Sequence, residues 1–311
     1  MVKDNEIKAQ VSPFAIREGE IKTFDGKDGY VSMNQIVHKI NIGHINEIHF
    51  AILDLVNEFE FITSRQLYQM LEIKGFDPKS QDKLNNKLEQ LVKSKILTRY
   101  YFTSDEGKGI YRIYCLEKMG KYLLNSKEID CKWQPSDNTK PVPMIKKRLA
   151  GNQTLIAYLR KVKAFDSYIV KPAITAKSAG KLFKASGGAV KLTKNNKSIQ
   201  FVFEVIRREQ DWEKKLIERM RLYKDFYENY VLGDSGFSSM PQLILVCEDE
   251  KHMAETFKEI VKNQVEIPQI KLYFTTDLRQ NKETLEETLV EFKLIDGKYR
   301  MENVELKLLG M

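Results

Sequence analysis

Three cysteines in 311 residues, Cys115, Cys131 and Cys247, are too few and too widely spaced for a disulfide framework or a zinc knuckle. No run of 18 apolar residues occurs, so no spanning helix is expected. The start, Met1-Val2-Lys3-Asp4-Asn5-Glu6, has no apolar segment of signal-peptide type. Together these absences point to a reducing cytoplasm and to no membrane partner. Histidine is scarce as well. His38, His44, His49 and His252 show no metal-ligand spacing with the cysteines. Gly187-Gly188 is not followed by Gly-Lys-Ser/Thr, which excludes a P-loop, and no cofactor is expected. There is no internal repeat of 20–50 residues and no low-complexity tract.

What remains is an ordinary globular composition, 42% hydrophobic and 30% charged, with a length that suits two domains. The net charge of +8 is unevenly spread. Residues 1–125 carry 18 Lys/Arg against 17 Asp/Glu, a balance of +1, and residues 200–311 carry 17 against 22, a balance of −5. Residues 142–199 carry 13 cations against the single Asp166, a balance of +12. A block of that kind predicts contact with a phosphate backbone, and Lys146, Lys147, Arg148, Lys181 and Lys184 are its candidate contacts.

Along the chain, residues 1–43 read as an extension, with Phe14–Arg17 and Glu20–Phe24 as two short strands. Between Ile45 and Phe61, apolar residues recur at helical spacing, and His49 falls on that apolar face as a core histidine. Thr63 or Ser64 caps a second helix that Gly75 stops, and Ser80 caps a third with Leu84, Leu88, Leu91 and Val92 as its buried stripe. Ile96–Phe102 and Ile110–Leu116 read as strands joined by a polar, glycine-containing loop. Glu117 to Leu124 closes the set with a helix. Helix, short helix, helix, hairpin is the order of a winged helix-turn-helix, placed at 44–125. Residues 126–141, with two prolines among polar residues, read as a linker.

The remainder, 142–311, alternates strands and helices and predicts a basic α/β domain with a partly parallel sheet. Leu243–Cys247 is a short apolar run of buried-strand type. Helices are expected near 143–162, 211–230, 253–261 and 282–292, with a terminal hairpin around Asp296-Gly297.

In a helix-turn-helix the second helix of the motif presents its polar face to base edges. Here that face carries Lys79, Lys83, Asn86, Lys87 and Gln90. Lysine suits phosphate or guanine, and Asn or Gln can read adenine with two hydrogen bonds. Lys108, in the loop, is placed for an adjacent phosphate, although Asp105-Glu106 makes that loop acidic.

In the second half, Phe203-Glu204 ends an apolar strand just before a helix containing Lys215 and Tyr223. That layout is similar to metal-dependent nucleases of the PD-(D/E)xK type, in which two acids hold Mg²⁺ and a lysine positions water. With Phe61–Leu67, the run from Leu88 to Leu97, Tyr111–Leu116 and Gly120, the chain resembles the replication-relaxation family of plasmid and mobile-element proteins. The resemblance implies a mixed α+β chain, an N-terminal winged helix followed by an α/β domain of restriction-endonuclease-like type. It covers about residues 45 to 280. Ile206 stands where the nuclease pattern wants lysine, and no acid occupies 186–190, so a degenerate, non-catalytic nuclease-like domain is expected. The nuclease alternative would use Glu204 as a ligand and Mg²⁺ as cofactor. A third reading is an assembly protein. Expected partners are double-stranded DNA, then replication, transfer or transposition proteins and a second copy of the chain.

Overall fold

The computed structural model describes residues 12–104, 107–108, 111–161, 165–194, 197–281 and 287–304. The chain divides into two compact units. The first holds 16–163 and 168–170; the second holds the described residues of 1–15, 164–167 and 171–311.

The first unit contains β1 (Ile21–Phe24), α1 (Met33–Asn41), α2 (Glu47–Phe59), β2 (Ile62–Thr63), α3 (Ser64–Ile73), α4 (Gln81–Lys93), β3 (Leu97–Ser104), β4 (Gly107–Lys108), β5 (Ile113–Leu116), α5 (Lys118–Ser126) and α6 (Val142–Lys161). Its antiparallel sheet runs β1-β3-β5-β2, with β4 hairpinned onto the far part of β3. Local chemistry sets the helix starts. Thr63 accepts the Gln66 N–H while the Gln66 side chain accepts the Thr63 N–H, a reciprocal cap that starts α3. Gly75, at φ +82°, turns the chain after α3. The core joins Ile52, Val56 and Phe59 of α2, Leu67 and Met70 of α3 and Leu84 and Leu88 of α4, all fully buried.

Three features depart from the sequence expectations. The strand expected at Glu20–Phe24 forms as β1 and pairs with β3 from Ile21↔Thr103 to Phe24↔Tyr100, so the 1–43 segment is part of the sheet and not an appended extension, while 14–17 forms no strand. Residues 126–141, expected as a linker, lie within the first unit. There the Asn138 amide donates to the Leu116 carbonyl (2.8 Å) and Trp133 Nε1 donates to Asn138 (3.2 Å). Helix α6, expected to open the basic domain, packs in the first unit. The Gln66 amide donates to the Leu149 carbonyl (2.7 Å), and the Asn152 amide donates to the Phe61 carbonyl (2.7 Å).

The second unit is built on a seven-stranded mixed sheet. Its elements are β6 (Phe165–Ile169), whose last two residues fall in the first unit, β7 (Ala173–Ala176), β8 (Lys181–Lys184), β9 (Ala189–Lys194), β10 (Lys197–Val205), α7 (Trp212–Glu228), β11 (Gln242–Cys247), α8 (Glu250–Lys262), β12 (Leu272–Thr276), β13 (Val290–Ile295) and β14 (Lys298–Asn303). The order is β14-β13-β12-β11-β10-β9-β6, with β10, β11 and β12 parallel and the β9–β10, β12–β13 and β13–β14 pairings antiparallel. Helices α7 and α8 follow β10 and β11, as crossovers between parallel strands require. Leu243 to Cys247 is buried throughout, as a strand covered on both faces must be. The helix expected over 282–292 is not formed where the residues are described, because 290–295 pairs as a strand with β14; residues 282–286 lie outside the described residues. The hairpin turn at Asp296-Gly297 has positive φ at both residues, 50° and 72°.

Candidate nucleic-acid interface

Helix α4 has two chemically opposite faces. Ser80 starts it by accepting the Lys83 N–H (3.3 Å), and Leu84, Leu88, Leu91 and Val92 bury its inner face. The outer face carries Lys83, Asn86 and Gln90, exposed, and Lys87, half-buried. With the turn at 76–79 and the start of α2, these residues line one open groove of about 610 Å³. Lys79, Lys83, Asn86, Lys87 and Gln90, the five residues singled out on this helix and turn, all border it, together with Asn46 and Phe76.

Its electrostatics are mild. Three lysines meet Glu47 and Asp77, a balance of +1. Lys79, at φ +65°, is committed locally: its N–H and its ammonium both bond Asp77, at 2.8 and 2.6 Å. The pairing holds the Asp77 carboxyl below, and the Lys79 ammonium above, their ordinary values. Lys83 and Lys87 are the cations that can meet a phosphate without first leaving such a pair. Beneath the groove lies His49, 2% exposed, whose Nε2 is 3.0 Å from Gln90 Oε1 and whose Nδ1 faces Asn46. Burial pushes its pKa down, against the pull of the Gln90 hydrogen bond, so the ring is neutral at pH 7. Periodicity marks His49 as a core residue; its partner, 41 positions away, gives no signal in sequence.

The other expected contacts fare differently. The backbone of Lys108 pairs with Thr103 in the β3–β4 hairpin, but its side chain, and residues 105–106 and 109–110, lie outside what is described. The basic block of 142–199 is divided between the two units, with 142–163 and 168–170 in the first and 164–167 and 171–199 in the second. Lys146 is a correction: it is 1% exposed, ion-paired with Glu20 and 5.3 Å from the Phe102 ring, so it is a core cation and not a phosphate contact. Arg148 is also internal, 14% exposed at its side chain, 3.6 Å from Glu60 and donating to the Val170 carbonyl at 3.2 Å. Lys147 is half-buried. In the second unit, Lys181 and Lys184 are exposed on β8. The β7–β8 hairpin is held to α7, as Ser178 and Ala179 donate backbone N–H groups to Asp225, and to the turn after α7, as Lys177 pairs with Asp234 at 2.6 Å.

Glu204, the nuclease candidate, is 4% exposed near the end of β10. Its carboxylate accepts the Ser186 hydroxyl (3.0 Å), the Ser186 N–H (3.4 Å) and the Tyr223 hydroxyl (2.9 Å), and lies 3.4 Å from Arg219 Nε. Burial, with the Glu204 charge beside it, pushes the Tyr223 phenol well above its ordinary value. Gly187 serves packing here: a Cβ would stand 2.7 Å from that of Phe203. Ile206, where the pattern wants lysine, is 6% exposed in the core. Asp166 sits on β6, two strands from β10, against Lys191 at 3.1 Å. Magnesium takes several oxygen ligands and wants more than one carboxylate. A single carboxylate saturated by three donors and a guanidinium does not fit that ion.

Sequence reasoning missed a second polar cluster, at the carboxyl ends of β10, β11 and β12, where open α/β sheets commonly form a crevice. Arg207, fully buried, donates from Nη2 to both oxygens of Asp277 (2.8 and 2.9 Å) and from Nη1 to the Ile206 carbonyl (2.8 Å). The Ser12 hydroxyl donates to Asp277, and Arg208 pairs with Asp249 and Glu255. His252, fully buried under the edge of Trp212, accepts the Glu248 N–H. The Arg207–Asp277 pair is internal, whereas the Arg208 pairs are partly exposed.

No protein-family model matches the chain, and no curated protein matches it. Among solved structures, the restriction endonuclease FokI is similar over 75% of this chain and 42% of its own length, at 10% identity and a TM-score of 0.23. This chain therefore spans less than half of that structure.

Proposed function

We propose that the protein binds double-stranded DNA without catalysis, with its first unit acting as a winged helix and α4 as the recognition helix. The observation that carries this reading is the groove on α4, bordered by Lys79, Lys83, Asn86, Lys87 and Gln90. The arrangement around it supports the same reading: α2, β2, α3, α4 and the β3 and β5 strands succeed one another, with β5 between β3 and β2. A helix of this kind can enter the major groove while a hairpin follows the adjacent backbone. The groove's balance of +1 suits a reader of base edges more than a strong electrostatic grip. Exposed Lys181 and Lys184 of β8 would add non-specific affinity. The absence of catalysis is argued from Glu204, whose oxygens are spent on Ser186, Tyr223 and Arg219. Service in the replication or transfer of a mobile element, beside proteins of those processes, rests on the sequence resemblance alone.

The test is titration of a fluorescent duplex by anisotropy at two or more salt concentrations, alongside supercoiled plasmid incubated with the protein and Mg²⁺ or Mn²⁺. The reading expects binding that weakens as salt rises and no nicking. Absent or salt-insensitive binding would refute the DNA reading. Metal-dependent nicking lost in Glu204→Ala would refute the claim of no catalysis.

A further inference from the structure

Strand β14 forms one margin of the seven-stranded sheet. It pairs with β13 on one side, and among the described residues no strand pairs with it on the other. Its side chains alternate between the two faces of the sheet. Tyr299 and Met301 lie on the α8 side. There the Tyr299 ring is 4.9 Å from that of Phe257, and Met301 stands opposite Phe292, which stacks on Phe257. Both remain exposed, at 50% and 44%, as does Leu294 opposite Tyr299. The aromatic cluster of Phe257, Phe274 and Phe292 thus continues as an apolar stripe to the open margin. The other face carries Lys298, Arg300 and Glu302. Lys293 of β13 pairs with Glu302 and Glu291, each at 2.9 Å. Arg300, directly opposite Lys293, is exposed and has no acidic partner among the described residues. Like charges opposite one another destabilise a sheet, so a carboxylate brought to Arg300 from outside the chain would be stabilising.

A second copy of the same strand supplies that carboxylate. Two identical strands meeting antiparallel about a two-fold axis perpendicular to the sheet keep each side chain on its own face. Only residues of the same parity can then stand opposite one another, so the centre of the pairing decides the charges. A centre on Arg300 sets that residue against its own copy, and a centre on Glu302 does the same for Glu302, like against like in both. A centre on Met301 sets Arg300 against Glu302 on both sides of the axis. It also places Met301 against Met301 and Tyr299 against Asn303, which carries the apolar stripe across the junction. Charged side chains keep many edge strands apart; in this register those of β14 attract instead. We infer that β14 is a homodimerisation edge, joining two copies antiparallel about Met301 into one continuous sheet. The inference is independent of the reading of α4.

Sedimentation equilibrium of the full-length protein over a concentration series tests it, with Arg300→Glu, Glu302→Arg and the two changes combined. An interface built on one short strand is smaller than the standard size, so a dissociation constant of about 1–100 µM is expected. Either single change sets like charges opposite each other at both ends of the junction and should weaken the dimer by at least about fivefold. The double swap restores opposite charges and should return the constant to within about twofold of wild type. Within one chain, Arg300→Glu places a carboxylate opposite Lys293, so Tm at low concentration should not fall; a merely structural role for Arg300 predicts a fall. Hydrogen exchange of the wild type at both ends of the series needs no variant: exchange in 298–303 should slow as concentration rises. A wild type that stays monomeric up to about 500 µM would overturn the inference and leave a strand of another protein as the alternative occupant of this edge. A dimer indifferent to both single changes, a folded double swap that fails to dimerise, or unchanged exchange in 298–303 would overturn it as well.

Discussion

Replacing Asp277 by alanine should be among the most damaging single changes in the second unit. Arg207 brings its guanidinium charge to a fully buried position. Asp277, 3% exposed at its side chain, supplies both oxygens to one guanidinium nitrogen and accepts the Ser12 hydroxyl. Without the carboxylate, the charge stays buried with hydrogen bonds to the Ile206 and Val246 carbonyls and the Glu248 charge nearby, but with no paired carboxylate. Breaking a buried pair in this way costs about 3–5 kcal/mol. For a unit of this size each kcal/mol lowers Tm by about 2–4 °C, so a drop of roughly 10 °C is expected. Differential scanning calorimetry reads it. The double variant Arg207→Met, Asp277→Leu should recover most of the loss, because it removes the orphaned charge as well as the carboxylate, and only two carbonyls lose a donor. A single variant within about 2 °C of wild type, or a double variant as unstable as the single, would refute the reasoning.

His252 should make the second unit acid-sensitive. Burial depresses its pKa from 6.5 to about 3, so its contribution is complete above about pH 6.5 and is lost as pH falls toward 3. That amounts to about 2 kcal/mol by pH 5. Urea unfolding at pH 7 and pH 5 checks this, and His252→Leu should flatten the difference. Gly120→Ala should destabilise the first unit by about 1–2 kcal/mol although alanine favours helices, because its Cβ would stand 2.3 Å from the Ile96 carbonyl oxygen. A thermal melt showing a gain would contradict that packing.

Much of the architecture was legible because local signals and tertiary packing agree there. The leucine stripe of α4, the Ser80 cap and the apolar run Leu243–Cys247 each follow from short-range periodicity, and each element forms where the pattern places it. The five groove residues of α4 were legible for the same reason: a helix with one buried face must expose the other. What failed depends on distant partners. Lys146 reads as a surface cation, but α6 is buried around most of its circumference, and the ion-pair partner of Lys146 is Glu20, 126 positions earlier. Residues 290–292 sit in a helical pattern, yet pairing with β14 draws them into a strand. Glu204 was placed correctly on its strand; only the fold brings Ser186, Tyr223 and Arg219 onto its carboxylate. His49 was visible as a core residue and invisible as the partner of Gln90.

The central claim, that the outer face of α4 is where the protein meets DNA, with Lys83 and Lys87 as its phosphate contacts, is tested most directly by the salt dependence of duplex binding. The comparison is wild type against Lys83→Ala, Lys87→Ala, with both proteins shown to be folded. Each neutralised phosphate contributes about 0.9 to the slope of log K against log salt, so the double variant should bind more weakly with a slope shallower by roughly 1.8. An unchanged affinity and slope would contradict the account and leave the face of α4 without a role in DNA binding.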